Sequence, residues 1–206
     1  KIGAIKIIQH RPVEGRIKTL NIQRDAVGNW YACFACEVEP TPLPYNDVAV
    51  GIDVGLSTFA TLSNGVTVDN PRFFRRDEVE LGRVQRRWDK DKTPKRRKVI
   101  AHIHQRMANR RKDFAHKLSR ELVNTYGALI FENLTIKNML QNHNLAKSIS
   151  DASWRQLIMY CTYKAEWAGR AVVLVDPRGT SQRCSGCGSV VRKDLSVRVH
   201  DCPLCG

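Results

Sequence analysis

The chain has no apolar stretch that could cross a bilayer. Its longest apolar runs, such as Ala171 to Val175, fall far short of the roughly 20 residues a spanning helix needs. It has no secretory signal, and Lys1 is not a start methionine, so further sequence is expected upstream. The chain stops one residue after Cys205, and sequence is expected beyond that end too. Internal repeats and low-complexity tracts are absent. His102, His104, His116 and His143 form no triad-like constellation, because residues two apart on a helix face different ways. Acidic residues are scarce where basic ones are dense: residues 72–120 hold 18 of the 34 Lys/Arg but only 6 of the 20 Asp/Glu.

What is present points to a globular protein that meets polyanions. The chain has 206 residues, 42% of them hydrophobic, with a mean hydropathy of −0.38; that is enough for one substantial core plus small appendages. The net charge is +14, and the block from 72 to 120 supplies +12 of it. A local excess of one sign is the footprint expected for a phosphate backbone. A solvated helix face is the plainer alternative. An anionic membrane surface fits less well, since the block offers no bulky apolar face free to insert.

Residues 1–46 read as β structure: Lys1 to His10, then Arg16 to Arg24 and Trp30 to Glu39, the last two joined by turn chemistry at Asp25 to Asn29. Cys33 and Cys36 form a nominal CxxC, but residues three apart on a strand point to opposite faces and cannot readily share a metal. Pro40 to Pro44 reads as a stiff linker. Strands follow at Val48 to Gly55, Ser57 to Leu62 and Gly65 to Val68. Two helices are expected next, from Arg76 to Lys90 and from Pro94 to Tyr126. The second carries an apolar stripe of Ile103, Met107, Phe114, Leu118 and Leu122. Arg97, Arg106, Arg110, Arg111, Lys112 and Lys117 surround that stripe as candidate nucleic-acid contacts. A buried strand begins at Ala128, residues 137–150 read as a polar loop, and Ser150 or Asp151 is placed to cap a helix with a Trp154, Leu157, Ile158, Cys161, Ala165 and Ala168 stripe. Ala171 to Val175 closes the series. Hairpin strands followed by strand–helix–strand predict an α/β fold, a mixed sheet with helices packed on it.

Two sets of residues carry chemistry. Asp53 lies inside an apolar strand, and Glu132 ends another; buried carboxylates there need a compensating positive partner. Gly51 and Gly55 leave room beside Asp53 for a close approach. Two strand-borne acids can hold Mg²⁺ or Mn²⁺ through hard oxygen ligands. The alternative is that each acid caps a helix or pairs with a core arginine. Cys184, Cys187, Cys202 and Cys205 form two CxxC pairs with fourteen residues between them, the spacing of a structural Zn²⁺ ribbon. Seven cysteines, four of them in one metal set, suit a reducing compartment. His200 could stand in as a ligand, but four thiols complete the set. Trp88, inside the basic block, could pack or stack on a base.

Several ordered motifs, GIDVGLSTFATLSNG at Gly51, FENLTIKNM at Phe131, LAKSISDASW at Leu145, YKAEWAGRAVVLVDPRGTSQRCSGCG at Tyr163 and CPLCG at Cys202, resemble the TnpB proteins of insertion sequences, older described as probable transposases. The resemblance implies part of a wedge β-barrel over 1–46. It implies a RuvC-like nuclease domain of RNase H fold over 47–178, with a basic helical insert at about 72–126, and a zinc ribbon over 179–206. It further implies an RNA-guided, Mg²⁺-dependent DNA endonuclease of a transposable element, working in the prokaryotic cytoplasm at the nucleoid. Its partners would be a guide RNA and double-stranded target DNA, with no membrane involved; the oligomeric state stays open. Asp53 and Glu132 match the family's first two catalytic acids, and the four cysteines match its zinc ligands. The third acid of the family sits in a DRDxNAA-like stretch after the last CxxC. Asp176, Asp194 and Asp201 do not sit in such a stretch, so a nuclease-inactive RNA-guided DNA-binding protein or repressor on the same scaffold, or a transposition accessory protein that binds DNA without RNA, remains an alternative.

Overall fold

The computed structural model describes residues 3–10, 12–177, 182–184, 186–192 and 201–206. Lys1 and Ile2, at the start of the first expected strand, lie outside the described residues, as do Asp194 and His200.

Alternation of apolar and polar residues builds two sheets. β1 (Arg16–Arg24) and β2 (Trp30–Glu37) form an antiparallel hairpin with a register shift between Ile17 and Thr19. The expected turn closes it: Asp25 accepts from the backbone N–H groups of Val27 and Asn29 at 3.0 and 2.8 Å. The first expected strand is not formed, since residues 3–10 have no regular structure. Ala32, Phe34 and Cys36 are the half-buried positions of β2, whereas Cys33 is exposed, so the two thiols do lie on opposite faces.

The second sheet runs β5-β4-β3-β6-β7, from β3 (Ala49–Val54), β4 (Thr58–Leu62), β5 (Thr67–Asp69), β6 (Ala128–Glu132) and β7 (Ala171–Val175). The first three are antiparallel neighbours; β3, β6 and β7 are parallel. This is the mixed sheet expected from the sequence. Parallel pairing demands long crossovers, and the chain supplies them as helices: α1 (Phe73–Lys90) and α2 (Pro94–Thr125) between β5 and β6, then α3 (Ile136–Met139), α4 (His143–Ala152) and α5 (Trp154–Ala168) between β6 and β7.

Period two decides which strand residues reach the core. Val50 and Ile52 of β3, with Leu129 and Phe131 of β6, are almost fully buried under Leu118, Leu122 and Val123 of α2 and Trp154, Leu157 and Cys161 of α5. Each such side chain contributes about 1.5–3 kcal/mol of burial. The α5 stripe and the C-terminal part of the α2 stripe, Leu118 and Leu122, face this core, with Phe114 and Ile158 at its margin. Ile103 and Met107 instead meet Leu81 of α1 in a satellite cluster that joins the two long helices.

Residues 137–150 are not a loop. Asn142 caps α4 by accepting from the Asn144 N–H at 3.1 Å. Only Ile149, Asp151 and Ala152 of α4 are buried, and that small apolar face hides a helix from periodicity. Neither Ser150 nor Asp151 caps α5; Ser153 precedes it, with a left-handed φ of 54°. The Asp151 carboxylate turns instead to α1, accepting from the Phe74 N–H at 2.8 Å, and pairs with Arg111 of α2 at 3.1 Å. One aspartate thus ties three helices together.

The α2–β6 junction has no room to spare. A Cβ on Gly127 would sit 1.8 Å from the Asn46 carbonyl oxygen. Gly127→Ala is expected to cost about 1–3 kcal/mol, read as a lower urea midpoint with unchanged slope. His116 of α2 stacks on Tyr160 of α5 at 4.0 Å. Burial first, then the nearby Lys164 and Lys112 cations, hold its imidazole below the usual 6.5, against the weaker pull of Asp113. The folded state therefore binds this proton less readily than the unfolded chain. The stabilisation it gives is present above pH 6.5 and is lost as pH falls from there toward the depressed folded value. Melting temperature should drop between pH 7.5 and 5.5, and His116→Phe should flatten the drop.

Candidate active site and metal centre

The parallel register brings the two acids together. β3 and β6 pair as Ala49–Ala128, Val50–Leu129, Gly51–Ile130 and Ile52–Phe131. The next residue on each strand is Asp53 and Glu132. Each follows the last paired position, Ile52–Phe131, on neighbouring strands, where the ladder ends. Val50, Ile52, Leu129 and Phe131 take the helix-covered face, so alternation sends Asp53 and Glu132 to the other one. Asp53 is consequently exposed and Glu132 half-buried. The sequence reading of Asp53 as a buried carboxylate is corrected here: its apolar neighbour Ile52 belongs to the opposite face. Gly55 also has a different role from the one expected. A Cβ there would meet the Thr58 carbonyl at 2.9 Å, so it serves the β3–β4 turn rather than a ligand.

The four C-terminal thiols converge. The sulfur atoms of Cys184, Cys187, Cys202 and Cys205 all lie within 4.8 Å of one another, and none is in a disulfide. Among the described residues they are the one group of three or more His, Cys, Asp or Glu side chains close enough to hold a metal ion. Two approaches, Cys184–Cys205 at 3.4 Å and Cys187–Cys202 at 3.6 Å, are near the edge of about 3.8 Å for four sulfurs at metal–sulfur distances of about 2.3 Å. Both knuckles close the same way. Gly188 N–H donates to the Cys184 carbonyl and Gly206 N–H to that of Cys202, each at 2.9 Å. Both glycines sit at positive φ, 74° and 82°, where a side chain would be strained.

Ser189 is a contributor that sequence reasoning missed. Its hydroxyl lies 3.0 Å from Cys187 Sγ and 3.4 Å from Cys202 Sγ. Hydrogen bonding from Ser189 draws the Cys202 thiol down to about 6, and lowers Cys187 as well. The adjoining Cys184 sulfur pushes Cys205 up to about 12. Crowded sulfurs resist losing successive protons, and a cation shared among them would remove that resistance by holding all four as thiolates.

The basic helices spend part of their charge internally. Arg106 pairs with Glu80 and, at 3.2 Å, with Asp77; Arg110 reaches Asp77 at 3.2 Å; Arg111 holds Asp151; Lys117 meets Asp113 at 2.7 Å. Asp77 is buried, so Arg106 and Arg110 balance a charge inside the α1–α2 hairpin. Of the six candidate contacts, Arg97 and Lys112 are exposed and have no carboxylate within 4 Å among the described residues. Trp88 is half-buried, with the Lys92 ammonium 5.3 Å over its ring. No helix among the described residues is long and apolar enough to cross a membrane.

The sequence of this chain matches known families and proteins. Residues 33–143 match the family model described as "Probable transposase" (OrfB_IS605), and residues 154–206 match the "Cas12f1-like, TNB domain" model. The chain belongs to this insertion-sequence transposase family, in agreement with its motifs. A "Putative RNA-guided DNA endonuclease" of Streptomyces pristinaespiralis is 39% identical over 195 residues, covering 91% of this chain and 48% of the relative. The protein of the same description named InsQ, from Escherichia coli (strain K12), is 28% identical over 215 residues, covering 94% and 53%. The chain thus spans about half the length of the curated relatives it matches. Among solved structures, a Cas12f1-sgRNA-target DNA complex is similar with a TM-score of 0.48 and 16% identity, over 83% of this chain and 45% of that one.

Proposed function

We propose that this chain carries the DNA-cutting unit of an RNA-guided DNA endonuclease of a transposable element, with Asp53 and Glu132 as its catalytic acids. The observation that supports this most is the β3–β6 register, in which Asp53 and Glu132 each follow the last pair, Ile52–Phe131, on adjacent parallel strands. The sheet order and its helical crossovers support a RuvC-like unit of RNase H fold over 47–178, following a wedge-like hairpin. The relatives' descriptions supply the substrate class: guide RNA and target DNA.

Asp53 and Glu132 offer hard oxygen ligands suited to Mg²⁺ or Mn²⁺. Such a cation, when bound, lowers the pKa of a water nucleophile and stabilises charge on the phosphodiester oxygens. The protein's own part is positional. The strands fix both acids at the end of their ladder, and the exposed face at Asp53 admits a nucleic-acid backbone without displacing core side chains. Exposed cations of α2, Arg97 and Lys112 first, would hold phosphates at a distance from the acids. The four thiols would hold a structural Zn²⁺, with all four positions filled by protein.

The non-cutting alternative, an RNA-guided DNA-binding protein or repressor on the same scaffold, makes a different prediction. Incubating the protein and its bound RNA with matched target DNA, with and without Mg²⁺, separates the two. Mg²⁺-dependent strand scission supports the nuclease; tight, RNA-dependent binding without scission supports the repressor.

A further inference from the structure

A cavity of about 320 Å³ opens between the β3–β4 turn, the start of α1 and the face of α4. Its walls carry Arg72, Arg75 and Lys147, together with the hydroxyls of Ser57 and Ser148. The one carboxylate on its wall, Asp151, is already matched by Arg111 and by the Phe74 N–H. The Phe74 amide of α1 is therefore taken by Asp151, and the cavity's excess of positive charge comes from its side chains. Arg72 is exposed and has no carboxylate within 4 Å among the described residues. Arg75 and Lys147 both turn to a single acid, Glu78, at 2.6 and 3.8 Å. Arg72, Arg75 and Lys147 thus have one carboxylate, Glu78, between them, which leaves an excess of positive charge at the mouth.

The cavity also lies at the acids' end of the sheet. Ser57 is four residues beyond Asp53 in the chain, so their Cα atoms are at most about 14 Å apart. At a rise of about 3.4 Å per nucleotide, that is within about four nucleotides of a strand seated on the acids.

We propose that this cavity is a phosphate-binding subsite that seats one backbone phosphate of the DNA strand led to Asp53 and Glu132. Arg72, Arg75 and Lys147 supply the charge, and Ser57 and Ser148 supply hydroxyl donors. Arginine and serine groups of this kind fix a strand's position without reading its sequence. The subsite rests on the reading of the acid pair as the cutting site. Its test is independent of cutting, because binding is measured without divalent cations.

The affinity of the 206-residue protein for a 20-nucleotide oligo-dT is measured across a salt series. Arg72 has a φ of 46°, where glycine is at ease, so Arg72→Gly removes the cation without straining the turn. The double variant Arg72→Gly/Lys147→Gln is expected to lower the slope of log affinity against log salt by about 0.7, one phosphate contact on a single strand. Lys18→Gln, on the β1 hairpin and not on the cavity wall, should leave the slope unchanged. In the wild-type protein, oligo-dT should slow acetylation of the Lys147 amine several-fold while leaving Lys18 unaffected. A double-variant slope equal to wild type, or equal labelling of Lys147 with and without oligo-dT, overturns the proposal.

Discussion

Asp53→Ala protein, loaded with guide RNA and supplied with Mg²⁺, is expected to cut target DNA at least about 1000-fold more slowly than wild type while binding it equally well. The magnitude follows from the several kcal/mol that a metal supplies to the transition state of phosphodiester hydrolysis, at about 1.4 kcal/mol per factor of ten. Binding is spared because the side chain is exposed and lies off the helix-covered core, so its removal opens no cavity. Glu132→Ala should behave in the same way, and the double variant should be no worse than either single one, because two ligands of one ion act as a unit. Cutting that survives Asp53→Ala would remove the residue from the mechanism.

The second large effect concerns the thiol cluster. The protein should carry one zinc ion per chain by elemental analysis, and Cys202→Ser should carry none after dialysis against a mild chelator. Structural zinc in small peptides contributes apparent free energies of about 10–16 kcal/mol, so loss of one of four ligands should be decisive for the centre. The α/β unit should survive. Its core is formed by α2, α5 and the five-stranded sheet, and the main cluster of buried residues contains none of the four cysteines. The variant is therefore expected to keep the wild-type far-UV circular dichroism of its helices and the same main melting transition. A melting temperature that collapses with the metal would show that the cluster braces the sheet directly.

Much of this architecture was legible before any coordinates. The strands within 48–55 and 128–134 follow from apolar runs, the α2 and α5 stripes from periodicity and the helix start from proline at its first position, and each is found, with the α2 stripe divided between two clusters. The thiol spacing was equally readable, since a CxxC knuckle is a local structure. What escaped was anything set by partners distant in the chain. Asp151 looked like a local cap, yet its partners are Phe74 and Arg111, 77 and 40 residues away. Arg106 and Arg110 looked free for phosphates, yet they neutralise Asp77, 29 and 33 residues away. Asp53 looked buried because a short apolar run does not show which of its faces the helices cover. The α4 helix was missed because only three of its ten residues are buried.

The Asp53 and Glu132 carboxylates are expected to share one divalent cation. Crystals of the protein soaked in Mn²⁺ and measured at the manganese absorption edge test this directly. The predicted result is a single anomalous peak bridging the two side chains, within about 2.0–2.4 Å of an oxygen from each. A map with no peak there, or with a guanidinium filling the space between the two acids, would contradict it.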